Sequence, residues 1–264
     1  MYLGVELEVD GFSSDSRAVN VTDKVDEILG QYAVCVSDGS LCNGFEIVFD
    51  PMTLGAFTLI RPLVEQVMEY ISDQGGHGHD SNNCGLHVHV SRAALGTTDE
   101  AKRLACGKLL ELTERYQAEV SAIARRDIAY STWCYPTGYG YSTTDSSRAV
   151  RRKAGRIQDS QGIGCHDGRR YHVWNFQNTN TIECRAFKST LKASTFYATL
   201  AFVEALVRFC TLKTTPEVHE VDSLRRIISW GHETATENTR QSFENLVDYW
   251  LMRAGSVGRY TSAA

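Results

Sequence analysis

The stretch "NNCGLHVHVS", residues 82–91, sets His87 and His89 two positions apart among Leu86, Val88 and Val90. Alternation of this kind predicts a strand. Residues i and i+2 of a strand share a face. Both imidazoles therefore point one way and the aliphatic side chains the other. The aliphatic side calls for a core. The histidine side either meets water or lines a site.

The same period recurs on both sides of this stretch. In "YLGVELEV", residues 2–9, Leu3, Val5, Leu7 and Val9 alternate with Gly4, Glu6 and Glu8. "YAVCVS" (32–37) and "GFEIVF" (44–49) predict two more strands around the turn-forming "DGSLCN". "RRYHVWNFQ" (169–177) and "TIECRAFKS" (181–189) predict a strand pair turning at "NTN". In the latter, Ile182, Cys184 and Ala186 alternate with Glu183, Arg185 and Phe187, so a carboxylate and a guanidinium share a face.

Helical periodicity marks residues 54–73, where Leu59, Leu63, Val67 and Ile71 recur every four residues and Pro62 signals a kink or a later start. A long helix is predicted over 99–126 with Asp99 as its N-cap. "STFYATLAFVEALVRFCTL" (194–212) is amphipathic, with Phe196, Leu200, Val203 and Val207 on one side, and two more helices are expected near 221–230 and 238–253. This order predicts an α+β fold with a mainly antiparallel sheet, helices on one face and the other free for chemistry. No Pro/Ser/Gly-rich linker divides the chain, so one domain over 1–264 is expected, helical near 220–254. The Gly-, Ser-, Tyr- and Arg-rich segment 129–169, with Tyr130, Tyr135, Tyr139 and Tyr141, shows little periodicity; such a segment is usually functional or disordered, and here it is a candidate lid.

Composition narrows the function. A net charge of −5 and a pI near 5.9 argue against a protein built to hold nucleic acid. The basic run "SRAVRRKAGR" (147–156) is a solvated loop or a loop that meets a polyanionic ligand. Eight cysteines without a C-x-x-C pair give no zinc-site signal. "MYLGVELEVD" has neither the basic nor the apolar region of a signal peptide, and no uninterrupted apolar run is long enough to span a bilayer. A cytoplasmic protein with free thiols and no membrane partner is therefore expected.

Each polar group alone admits a bland reading. Glu6 and Glu8, with Cα atoms roughly 6.5–7 Å apart, could edge a strand that meets water, and Glu183–Arg185 could be a surface ion pair. Taken together, four strands place Glu6 and Glu8, Glu46, His87 and His89, and Glu183 opposite their apolar residues. In one sheet these would form an acidic bowl. Two like charges about 5 Å apart repel by roughly 3 kcal/mol at an effective dielectric of about 20. Cations must offset this, and carboxylates with an imidazole suit Mg²⁺ or Mn²⁺. Arg185 and the arginines of 125–126 and 148–156 could then face phosphates carried by such ions. Cupin-type H-x-H barrels place a Glu shortly after the second His, whereas "VSRAAL" follows here, and H-E-x-x-H is absent.

These motifs carry a resemblance. "NNCGLHVHVS" resembles the Asn-Gly-x-Gly-x-His-x-His strand of glutamine synthetases, "TIECRAF" their Arg-Ile-Glu-x-Arg strand and "GVELEVD" their Glu-x-Glu strand. The short form, with "DGS…GFEIV" between the first two motifs, is most similar to the amidoligase family of glutamine-synthetase-like carboxylate–amine ligases, over most of 2–210. The resemblance implies the curved antiparallel sheet of that superfamily's catalytic domain with helices on its outer face. It also implies two metal sites: Glu8 and Glu46 at one, Glu6, His87 and Glu183 at the other. His89 and Arg185 would contact ATP phosphates, with Arg170, Asn175 and Ser40 on the cofactor side. Arg185, Arg126 and Asp38 would be catalytic. Two departures stand out: no β-grasp domain precedes Glu6, and 127–169 aligns with nothing in the family pattern.

The implied activity is amide formation between a carboxylate and an amine, using ATP and two Mg²⁺ or Mn²⁺ ions, through an acyl phosphate. Its substrates would be small molecules, peptides or protein side chains. Two alternatives use the same bowl: an inactive nucleotide- or partner-binding scaffold, and a metal-dependent hydrolase that needs no ATP.

Overall fold

The computed structural model describes residues 1–79, 83–132, 134 and 170–259. Most of the expected lid, the run 147–156 and Tyr135, Tyr139 and Tyr141 lie outside the described residues.

Six strands form one open sheet: β1 (Leu3–Val9), β2 (Ala33–Val36), β3 (Phe45–Met52), β4 (Gly85–Ser91), β5 (Trp174–Asn175) and β6 (Thr181–Lys188), in the order β2-β3-β1-β4-β6-β5. All five pairings are antiparallel. The architecture is thus the α+β, antiparallel one expected. The first strand of the chain sits in the middle of the sheet, between β3 and β4.

Alternation decides which face is covered. Val5, Leu7, Phe45, Ile47, Phe49, Leu86, Val88, Val90 and Ile182 are all buried in the core. Against them lies α6 (Ala193–Leu212), where Phe196 packs its ring 5.7 Å from Phe49. This helix is 20 residues long, and 83% of its 18-residue apolar stretch is buried. By length and composition alone it could cross a membrane, although Glu204 and Arg208 interrupt its apolar run; its burial makes it the core helix of this fold. It packs against α4 (Asp99–Arg115), α8 (Leu224–Glu233) and α9 (Glu237–Ala254). The short α7 (Thr215–His219) follows α6 and carries a capping box between Thr214 and Glu217.

Three local readings change. A helix α1 (Asp15–Leu29) links β1 to β2, a connection for which the sequence pattern set no helix. Ser14 caps it, and Ala18, Val21, Val25 and Leu29 form its buried stripe. The 54–73 helix is two, α2 (Leu54–Leu59) and α3 (Arg61–Asp73), because Pro62 stands in the first turn of the second. The 99–126 helix is also two, α4 and α5 (Gln117–Ala124), parted at Tyr116, and its N-cap is Thr98, whose hydroxyl accepts from the Ala101 amide.

The β6 pattern contains a further correction. Val88 pairs with Cys184 and Leu86 with Phe187, so β6 carries one extra residue between them. A bulge of this kind reverses the alternation beyond it. Phe187 consequently leaves the face of Glu183 and joins the core, its ring 6.1 Å from that of Phe202 on α6.

Candidate active site

The site is built on the uncovered face by cross-strand register. Glu6 stands opposite His87, Glu8 opposite Glu46, and His89 opposite Glu183, which in turn opposes Asn175. Directly opposed residues share a face. One row of side chains therefore runs Glu46–Glu8–Glu6–His87–His89–Glu183–Asn175 across five strands.

The side chains meet as well as the backbones. His89 Nε2 lies 2.9 Å from Glu6 Oε1. His87 Nδ1 lies 3.3 Å from Glu6 Oε2, 3.7 Å from Glu183 Oε1 and 3.8 Å from Glu8 Oε1. Asn175 donates to Glu183 Oε2 at 2.8 Å, and Arg185 pairs with Glu183 Oε1. Glu8 accepts from the Gly85 amide at 2.5 Å.

Crowded carboxylates cannot all keep ordinary acidity. Burial, then the charges of Glu6 and Glu8, push the Glu46 carboxyl up to about 8. Burial also raises Glu8, against the pull of His87 and the Gly85 amide. For Glu6, burial acts upward but is outweighed by His87 and His89, which hold it well below the usual carboxylate range. Burial would lower His89; its contact with Glu6 more than offsets this and raises it. The row thus favours the ionised form of Glu6 and the protonated forms of Glu46, Glu8 and His89.

The donor set fits a divalent cation. One ligand atom each from Glu6, His89 and Glu183 lie within 4.8 Å of one another. His89 Nε2 is sealed from solvent and close to Glu6, yet makes no aligned hydrogen bond. The proton on Glu46, whose carboxyl is pushed up to about 8, is one that a cation would displace. The family resemblance implies His87 at a metal and His89 at phosphate; the structure groups His89 with Glu6 and Glu183 and sets His87 among three carboxylates.

A cleft of about 400 Å³ opens beside the row, lined by Glu8, His87 and Arg185 together with Asp38, Ser40, Arg126 and Arg170. Asp38 accepts from the Ser40 amide at 2.8 Å, which shapes the turn after β2. Arg126 is buried and donates to the Cys84 carbonyl at 3.2 Å. The guanidinium carbons of Arg170 and Arg185 lie 5.3 and 5.9 Å from the Tyr171 ring centre, so one phenol ring steadies both. Every residue that the family resemblance assigns to the site lies on the row or lines this cleft, whereas Arg125, expected with Arg126 to face phosphates, lines a different cavity. A smaller recess of about 270 Å³ adjoins the row at Glu6 and His89, beside Tyr2, Val48 and Pro51.

Four contributors went unassigned in the sequence reading: Gly85, Asn83, Tyr171 and Ser189. Gly85 is legible afterwards, since it stands two residues before His87. A Cβ there would lie 2.6 Å from His87 Nε2, so only glycine lets the imidazole settle. Asn83 and Tyr171 line the cleft, and Ser189 donates to the Glu8 carbonyl. No strand pattern announces them, because they flank the strands.

Comparison with known proteins follows this geometry. A family model described as "Putative amidoligase enzyme" matches residues 5–207. Among curated proteins, none matches. Two solved structures are similar to the chain. One, titled "GmaS/ADP complex-Conformation 1", is 15% identical with a TM-score of 0.47; the alignment covers 100% of this chain and 70% of that one. The other, titled "Crystal structure of the complex between Prokaryotic Ubiquitin-like Protein Pup and its Ligase PafA", is 10% identical with a TM-score of 0.41, covering 99% and 65%.

Proposed function

The chain belongs to the amidoligase enzyme family, and from that premise we propose that it joins a carboxylate to an amine at the expense of ATP, through an acyl phosphate. The observation that carries the reading is the row itself, with buried carboxylates and imidazoles on one side of an arginine-lined cleft.

Glu6, His89 and Glu183 would hold one divalent cation, and Glu8 and Glu46, with His87 beside them, a second. Such ions, when bound, neutralise phosphate oxygens during transfer. The remaining work falls to the chain's own groups. The recess lined by Tyr2, Val48 and Pro51 offers apolar walls to a nucleobase. Its neighbours Glu6 and His89 would then lie toward the phosphates. The cleft of Arg126, Arg170 and Arg185 suits the acid substrate, whose carboxylate oxygen attacks the γ-phosphorus while ADP leaves. Arg185 is held by Glu183 and Tyr171, so it faces the developing charge without first having to reorganise. The amine then attacks the acyl carbon and inorganic phosphate departs. Asp38, which lines the cleft, would take the proton the amine loses. A cytoplasmic setting agrees with this chemistry, and the cysteines among the described residues are free.

The test is ADP release with Mg-ATP and a panel of acids and amines, run with Glu183→Gln alongside. Glutamine keeps the hydrogen bond from Asn175 and removes the charge. The variant should fold normally and lose turnover by about 10²-fold or more. Unchanged ADP release in Glu183→Gln would falsify the ligase reading. Nucleotide binding without turnover for every pair would favour the scaffold, and ATP-independent hydrolysis the hydrolase.

A further inference from the structure

A second cavity, of about 570 Å³, opens beside the first turn of α6. Arg125 lines it, whereas its chain neighbour Arg126 lines the catalytic cleft. None of the row's carboxylates or imidazoles reaches this cavity. We propose that it binds a small oxyanion, a phosphate or a carboxylate group, at a site separate from the catalytic row.

The lining is cationic. Arg125, Lys192 and Arg253 all face the cavity, and among the described residues none of them is ion-paired. Asp248, an exposed residue, is the single carboxylate of the described lining. The cations are fixed rather than loose. Arg125 donates through Nη2 to the carbonyls of Lys188 and Ser189, at 2.5 and 2.9 Å. Arg253 donates through Nε to the Ala122 carbonyl at 2.9 Å. Burial lowers the Arg125 pKa, Tyr249 acts against it, and the nearby charges of Arg253 and Arg126 add to the lowering.

The start of α6 adds to this. No side chain caps its N-terminus, and the residues that open it, Lys192, Ser194 and Thr195, line the same cavity. A 20-residue helix presents a partial positive charge and free amides there. An oxyanion answers both features at once: paired charge and a capped helix.

The experiment uses the full chain in chelator-treated buffer, without nucleotide. Inorganic phosphate is titrated in one arm and acetate in the other, followed by calorimetry. Saturable binding of one anion is expected, and the arm in which it occurs identifies the group. Lys192→Gln, at an exposed position, should weaken binding about tenfold, the size of one lost charge-assisted contact. Asp248→Asn should strengthen it several-fold, an effect that damage to the fold does not imitate. Glu183→Gln should leave it unchanged. Absence of saturable binding in both arms, indifference to Lys192→Gln and Asp248→Asn, or loss of binding in Glu183→Gln each overturns the proposal. No turnover is measured, so the outcome is independent of the ligase reading.

Discussion

Glu8 stands directly across the β1–β3 pair from Glu46, and the two carboxylates rise from the same face. Such an arrangement persists only if charge is removed from it or a cation added. Burial and its anionic neighbours push Glu46 up to about 8, so the folded chain holds a proton that the unfolded chain releases near 4.5. Stability therefore falls as pH rises through that interval. His89, raised by Glu6, acts with the same sign, since its stabilising charge is lost as pH rises. Glu6, held low by both histidines, acts at the acid end and loses its contribution as pH falls. The chelated protein should show a declining Tm from about pH 5 to pH 8. Glu46→Gln or saturating Mg²⁺ should flatten the decline, and an unchanged slope in both would rule out this carboxyl as its source.

The histidines should separate by cation affinity. His89 groups with Glu6 and Glu183, with ligand atoms within 4.8 Å of one another, and His87 sits among three carboxylates. His89→Asn is expected to weaken Mn²⁺ binding by about tenfold or more, a loss typical of altered metal surroundings. Electron paramagnetic resonance titration of free Mn²⁺ reads this directly. Equal affinity in wild type and variant would remove His89 from the ligand set.

Gly85→Ala tests positioning. The added methyl would sit 2.6 Å from His87 Nε2 and 3.4 Å from Glu8 Oε2, so the imidazole must rotate away. Turnover should drop at least about tenfold while Tm changes by only a few degrees, since the clash falls on a side-chain end. A Tm collapse matching the activity loss would mean that Gly85 serves the fold rather than the site.

Lys108 makes a stability prediction far from the row. Its ammonium is buried and donates to the carbonyls of Cys210, at 3.0 Å, and Lys213, at the end of α6. It satisfies acceptors that the helix leaves open and sits at the negative end of the helix dipole. Lys108→Met keeps the volume and removes the donors. Urea denaturation should show a loss of about 2 kcal/mol with m unchanged. A neutral effect would imply that water replaces the ammonium.

Much of the sheet was legible because half-covered strands must alternate, and the β1, β3 and β4 sequences do so. Alternation names the face of each residue but not its neighbour. That Glu6 meets His87, and His89 meets Glu183, depends on strand order and register, which no single strand encodes. Phe187 was misplaced for a related reason: one extra residue in β6 reverses its side, and nothing in "TIECRAFKS" marks the insertion. Helix α1 was missed although Ala18, Val21, Val25 and Leu29 recur at helical spacing. Its stripe is narrow and two of its four members are valines, poor helix formers, so packing against α3 and β2 supplies what propensity does not. The break at Tyr116 has no glycine or proline to announce it.

Placing the earliest strand at the centre of the sheet has a consequence for biosynthesis. As the polypeptide leaves the ribosome, β1 emerges first but has no partner until Phe45–Met52 and then Gly85–Ser91 follow. Glu183 arrives about a hundred residues later still, so the reactive constellation is among the last things to form. Until Glu183 and its strand arrive, the β4 edge of the partial sheet stays bare, the kind of nascent species that invites wrong pairing or a chaperone.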